Sequence, residues 1–115
     1  MQGVYLSFYV QESSRHRGLL TYEWLLEHAK ALGIKGGTAF RSIAGYGRHG
    51  RLHEQHFFEL AGDLTVQVGF AVRRADAERL LQSLAQEKLE IFYLELPVEM
   101  GVTGKVLGER APPTL

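Results

Sequence analysis

Residues 41 to 56 read RSIAGYGRHGRLHEQH and hold three arginines and three histidines against one acid, Glu54. The whole chain carries 13 basic and 13 acidic residues, a formal net charge of zero. Charge concentrated here therefore leaves the remainder slightly acidic. Gly45, Gly47 and Gly50 punctuate the run. Glycine lets backbone N–H groups approach an anion closely, and arginine offers a planar fork of donors that fits phosphate or carboxylate. A nucleotide or other phosphorylated ligand is what this composition expects. The competing explanation is a solvated basic loop that binds nothing specific.

Other chemistries fit less well. Gly45 to Gly50 matches the G-x-G-x-x-G pattern, but a dinucleotide fingerprint must open a helix inside a parallel unit. Here the glycines lead into a polar stretch with no apolar helical face. No Gly-Lys-Ser or Gly-Lys-Thr occurs, so there is no Walker loop. His49, His53 and His56 could share a helical face as metal ligands. The segment His53 to His56 is one residue short of H-E-x-x-H, however, and surface imidazoles are the commoner explanation. No serine lies in a nucleophile elbow. Arg15 and Arg17 follow the first apolar segment, as in acylphosphatases, but the next helix lacks the water-activating asparagine of that family. The segment 64–72, LTVQVGFAV, does not supply the aromatic block of an RNA-binding sheet. Trp24, between helical apolar positions, reads as core or interface.

The elements that must carry these residues follow from periodicity. Val4, Leu6, Phe8 and Val10 alternate with Tyr5, Ser7 and Tyr9, which predicts a strand. Gln11 to Gly18 reads as a polar loop. Tyr22, Leu25, Leu26, Ala29 and Leu32 lie on one helical face, with Thr21 as N-cap and Gly33 at the left-handed C-terminal position. A second strand is expected over Thr38 to Ala44, then a long mobile connection over Gly45 to Asp63. Leu64 to Val72 alternates again. Asp76 is expected to cap a second helix carrying Ala77, Leu80, Leu81, Leu84 and Ala85. A last strand runs from about Leu89 to Leu96 and is expected to stop at Pro97. The tail 98–115 could add a short strand at Val102 to Leu107.

The order strand, helix, strand, strand, helix, strand predicts an α+β, ferredoxin-like βαββαβ domain over 1–97: a four-stranded antiparallel sheet with both helices on one face. Tyr5, Ser7, Tyr9, Thr65, Gln67 and Gly69 fall on the other face. Tyrosines on a bare sheet face suit a subunit interface.

Composition narrows the class. A chain of 115 residues is one domain by size, and 45% hydrophobic against 23% charged residues is an ordinary globular balance. With no cysteine there are no disulfides, thiolate metal sites or thiol nucleophiles. Zero net charge argues against a broadly basic nucleic-acid binder. No apolar run approaches a membrane span, and Met1 to Val4 opens no signal peptide. The expectation is a soluble, cytoplasmic protein without direct membrane insertion.

The run from Ile34 to His53, IKGGTAFRSIAGYGRHGRLH, resembles the signature of the family known as domain of unknown function 190. So do the opening GVYLSFYV over Gly3 to Val10, LTYEWLL over Leu20 to Leu26, and Asp63-Leu64 before the valine-rich strand. The resemblance spans about Gly3 to Leu96. The chain departs from it at Ala61 to Thr65, where relatives show Ser-Glu-Asp-Leu-Pro, and in its longer tail.

That family is similar to the PII signalling proteins, whose ferredoxin-like subunits form trimers and bind adenine nucleotides in intersubunit clefts. The long loop after their second strand docks onto a target, often a transporter or enzyme. Members of the family commonly occur beside genes read as fluoride channels. The resemblance implies a homotrimer and a non-enzymatic regulatory role. It also implies an adenine nucleotide as ligand, and docking of a membrane transporter or enzyme through the 45–63 loop. The positions matching the signature are Gly36, Gly37, Arg41, Gly45, Gly47, Arg48, His49, Arg51 and His53, and these form the expected ligand site. The alternatives are a small metal- or phosphate-dependent hydrolase using the His/Arg loop, and a scaffold protein.

Overall fold

The computed structural model describes residues 1–46 and 64–104. The sheet is built from β1 (Gln2–Gln11), β4 (Thr38–Arg41), β5 (Thr65–Val72) and β6 (Phe92–Glu99). A two-stranded hairpin, β2 (Arg15–His16) and β3 (Leu19–Leu20), leads into α1 (Thr21–Ala31). The second helix, α2 (Arg74–Gln86), joins β5 to β6. Strand order is β4-β5-β1-β6, and every pair in the sheet is antiparallel. This is the expected ferredoxin-like α+β arrangement, with β1 and β5 in the middle.

Alternation fixes the core. Val4, Leu6, Phe8 and Val10 pair with Val72, Phe70, Val68 and Val66, and all eight are buried. They meet Trp24, Leu25 and Ala29 of α1 and Ala77, Leu80 and Leu84 of α2. Phe8 meets Phe70 edge to face at 6.0 Å.

Gly33 at φ 88 closes α1 as expected. Ile34 N–H reaches Ala29 O at 3.0 Å and Gly33 N–H reaches Lys30 O at 3.0 Å, the paired bonds of a Schellman motif. The motif recurs after α2, where Leu89 N–H reaches Leu84 O and Lys88 N–H reaches Ala85 O. There the left-handed residue is Lys88 at φ 57, not glycine. Arg79 of α2 donates to Leu32 O, giving the last turn of α1 a cationic cap.

Several local expectations are corrected. Gln11 to Gly18 is not all loop: Arg15 pairs with Leu20 and His16 with Leu19 around a two-residue turn. Arg17 (φ 50) and Gly18 (φ 82) are both left-handed there, as a tight hairpin with right-handed strand twist requires. Thr21 is the first helical residue rather than the cap, because α1 starts directly from the hairpin; Thr21 N–H bonds Ser14 O at 2.8 Å. Asp76 lies within the first turn of α2, whose N-cap is Arg73. The second strand ends at Arg41 instead of Ala44, although Ser42 still bonds Thr65 O at 2.9 Å. The last strand begins at Phe92 and does not stop at Pro97, which pairs opposite Val4 within β6. An edge strand tolerates proline because one row of its N–H groups faces solvent. The ladder continues past Glu99, with Met1 N–H and O bonded to Met100 O at 2.8 Å and N–H at 2.7 Å. Val102 to Gly104 form no strand, and the rest of the expected tail strand lies outside the described residues.

Candidate functional site

Of the expected ligand residues, four are described. Gly36 and Gly37 connect α1 to β4, Arg41 ends β4, and Gly45 follows a bend. Gly47, Arg48, His49, Arg51 and His53 lie outside the described residues. Gly37 has a packing role: a Cβ there would meet Phe70 at 2.5 Å and Leu26 at 3.1 Å. Arg41 is engaged by Glu12, with Nη2 2.5 Å from Oε1. Its guanidinium remains 65% exposed, so an incoming anion could still reach it. Among the described residues, nothing lies within 4 Å of where a Cβ on Gly45 would stand.

The structure brings a further set together. A cleft of about 620 Å³ opens where β1 ends and where β5 and β6 begin. That size lies within the usual range of small-molecule pockets. Tyr9, Phe92 and Tyr46 supply aromatic surface, with the rings of Tyr9 and Phe92 5.7 Å apart. Arg15 comes from the hairpin, and Glu90 from the turn after α2. Ser14, Thr21 and Thr65 add hydroxyls. Tyr46 belongs to the basic run read from the sequence, so the cleft sits at the root of that run. Aromatic walls, a cation and scattered hydroxyls can hold a flat heterocycle with an anionic group.

The hairpin is fastened beside the cleft. Glu87, just past α2, accepts from Arg17 Nε at 2.6 Å and Nη2 at 3.2 Å, and from His16 Nε2 at 2.9 Å. These bonds, the Arg17 one first, hold the Glu87 carboxyl down to about 2. His16 meets the Trp24 ring edge-on at 4.5 Å. Trp24, buried as expected, stacks on His28. His28 Nε2–H donates to Ser83 Oγ at 2.8 Å, whose own proton goes to Leu80 O. Burial pushes the His28 pKa below its ordinary value. Among the described residues no group of three or more His, Cys, Asp or Glu is placed to hold a metal ion. Among them, too, no helix is long and apolar enough to cross a membrane.

The uncovered sheet face is more apolar than its tyrosines suggested. Register places Leu94 opposite Ser7 and Leu96 opposite Tyr5, and both leucines are exposed. Phe40, opposite Gln67, is 57% exposed. Gln67 donates to Ser7 Oγ at 2.7 Å, and the Tyr5 ring lies over Gly69.

Residues 3–96 match the family model DUF190, described as Uncharacterized ACR. This chain belongs to the DUF190 family. A UPF0166 protein of Aquifex aeolicus (strain VF5) is 31% identical over 97 residues, covering 77% of this chain and 92% of that protein. Among solved structures, a Thermus thermophilus protein described as a putative PII-like signaling protein superposes with a TM-score of 0.53 at 23% identity, over 84% of this chain and 89% of the other. CPII of Thiomonas intermedia K12, solved bound to ADP and bicarbonate, gives 0.52 at 20% identity, over 85% and 89%. The fold of this DUF190 chain is therefore PII-like.

The sequence reading missed Glu90, Phe92 and Tyr46 as lining residues. It noted Arg15 only in excluding acylphosphatase. Arg15 and Glu90 are 75 positions apart, and no local pattern joins them. The one available signal was an arginine-bearing loop directly after β1.

Proposed function

We propose that this DUF190 protein is a non-enzymatic, PII-like regulatory module that binds an adenine nucleotide. The observation that carries this reading is the 620 Å³ cleft, where aromatic faces and Arg15 meet at the root of the arginine-rich run. The base would stack on Tyr9, Phe92 or Tyr46, and Glu90 would accept from ribose hydroxyls. Arg41, Arg48 and Arg51 would reach the phosphates, with amides of Gly45 and Gly47 lining the approach beside His49 and His53, while Gly36 and Gly37, at the far end of β4, would act through packing. The bound ADP of the Thiomonas CPII supports this ligand class. The open sheet face would be buried against two further copies in a homotrimer, bringing a neighbour's surface to the cleft. Ligand state would then change how the 45–63 segment docks a target, a membrane transporter or an enzyme. Nucleic acid is not a partner in this reading, and the domain acts in the cytoplasm over residues 1–97, with 98–115 as a tail.

Isothermal calorimetry with ADP at low salt tests the reading. Wild type should bind, and Arg48→Ala with Arg51→Ala should weaken binding by about tenfold or more. Equal affinity in the double variant removes those arginines from the site. Stoichiometric zinc or nickel, lost in His53→Ala, would instead favour the hydrolase.

A further inference from the structure

We propose that Glu12 is a built-in rival for the arginine that receives phosphate: its carboxylate holds Arg41, and the site therefore favours an anion of more than one negative charge over a carboxylate. The inference rests on the nucleotide reading and adds what sets its selectivity. Arg41 Nη2 donates to Glu12 Oε1 at 2.5 Å, across 29 positions of sequence. The sheet makes that meeting. Arg41 stands opposite Val66 of β5, and Glu12 extends the β1–β5 ladder by donating its N–H to Leu64 O at 2.8 Å. Positions 64 and 66 are two apart on one strand, so the side chains ranged against them leave the same sheet face.

The two partners are held unequally. Ser14 N–H bonds Gln11 O at 3.1 Å, which closes a turn around Glu12, and the Glu12 side chain is 22% exposed against 65% for Arg41. The carboxylate is the fixed partner and the guanidinium the one that can swing. The pair also stands at the rim of the cleft. Gln11, next to Glu12, lines the cleft, as does Thr65, whose carbonyl accepts from Ser42 N–H at 2.9 Å beside Arg41. An anion entering there meets a guanidinium that already faces a negative charge, and like charges at one cation repel. A singly charged carboxylate gains no more at Arg41 than it displaces. A terminal phosphate carries close to two negative charges and three acceptor oxygens, so it gains more. Selectivity then comes from a competing group inside the protein as well as from an attractive contact. Its size is bounded: an exposed ion pair contributes little, so removing the rival shifts affinity by a few-fold.

The test is calorimetry of ADP against wild type, Glu12→Gln, Arg41→Ala and the double variant. Glu12→Gln keeps an acceptor oxygen for Arg41 and removes only the charge. At low salt it should bind ADP about three- to fivefold more tightly than wild type. Arg41→Ala should bind about tenfold more weakly. Adding Glu12→Gln to Arg41→Ala should bring no gain, because the rival acts by holding that arginine. Raising salt to about 0.5 M should shrink the gain of Glu12→Gln to about twofold or less, whereas a change in packing would persist. Four results would overturn the inference while leaving the nucleotide reading intact: equal or weaker ADP binding by Glu12→Gln, unchanged affinity in Arg41→Ala, a full gain from Glu12→Gln without Arg41, or a gain indifferent to salt. Absence of ADP binding by wild type would remove the nucleotide reading, and the rival with it.

Discussion

Trp24 and His28 lie face to face, their ring centroids 4.4 Å apart and their planes 13° from parallel. One turn of α1 separates them in sequence, which is the spacing that brings helical side chains together. Trp24 is the chain's single tryptophan, so its emission reports on this one site, where His28 stacks on the ring and His16 meets its edge.

Burial lowers the His28 pKa in the folded protein, while the unfolded chain leaves it at the ordinary imidazole value. Below that ordinary value the unfolded chain binds more protons than the folded one. The resulting stability is present above about pH 6.5 and is lost as pH falls through the lowered folded pKa. Thermal melts followed by Trp24 emission should show a falling midpoint from neutral to acidic pH. His28→Gln, which can keep a bond to Ser83, should flatten that slope. Parallel slopes in the two proteins would remove His28 as the cause.

Gly37→Ala should destabilise the fold by about 1–3 kcal/mol, the usual cost of forcing an extra carbon into a packed core. The added Cβ would lie 2.5 Å from the Phe70 ring, which is 1% exposed and packed in the core. Gly45→Ala meets nothing among the described residues and should change stability by less than about 0.5 kcal/mol. Urea denaturation of both variants separates a glycine needed for packing from one available to a ligand.

Leu94→Glu combined with Leu96→Glu should break the proposed homotrimer. Both leucines sit on the uncovered face of an edge strand, and two carboxylates there would have to be desolvated in any interface. Sedimentation should show trimer for wild type and monomer for the variant, with unchanged secondary structure by circular dichroism. A monomeric wild type would refute assembly through this face.

Lys88→Gly should stabilise the protein by about 0.5–1 kcal/mol, since a left-handed conformation strains any residue with a Cβ while glycine gives back part of the gain as unfolded-chain entropy. Lys88 holds φ 57 at the end of α2 and is exposed, so little contact is lost. Chemical denaturation would read the shift in midpoint; a loss of stability would show that the lysine side chain contributes more than its backbone strain costs.

Much of the fold was legible in the sequence because period-two and helical spacing are local properties. Val4 to Val10 and Leu64 to Val72 announced the two central strands, and Gly33 announced the end of α1. The hairpin at Arg15 to Leu20 was not legible: two-residue strands carry no period, and Arg17 in the left-handed region is no turn signal. Pro97 misled because proline's meaning depends on whether its strand lies at an edge, which is a property of the assembled sheet.

The same division holds for function. The sequence by itself determined that positive charge and glycine concentrate after β4, that one sheet face is amphipathic, and which family signature the chain carries. Only the tertiary structure decided that Arg15, Tyr46 and Glu90 share a cleft, that Glu87 ties the hairpin to α2, and that Gly37 is pressed against Phe70. Local patterns record which way a side chain faces. Which residues it meets is set by chain crossings between segments far apart in sequence, and those exist only once the sheet and helices have packed.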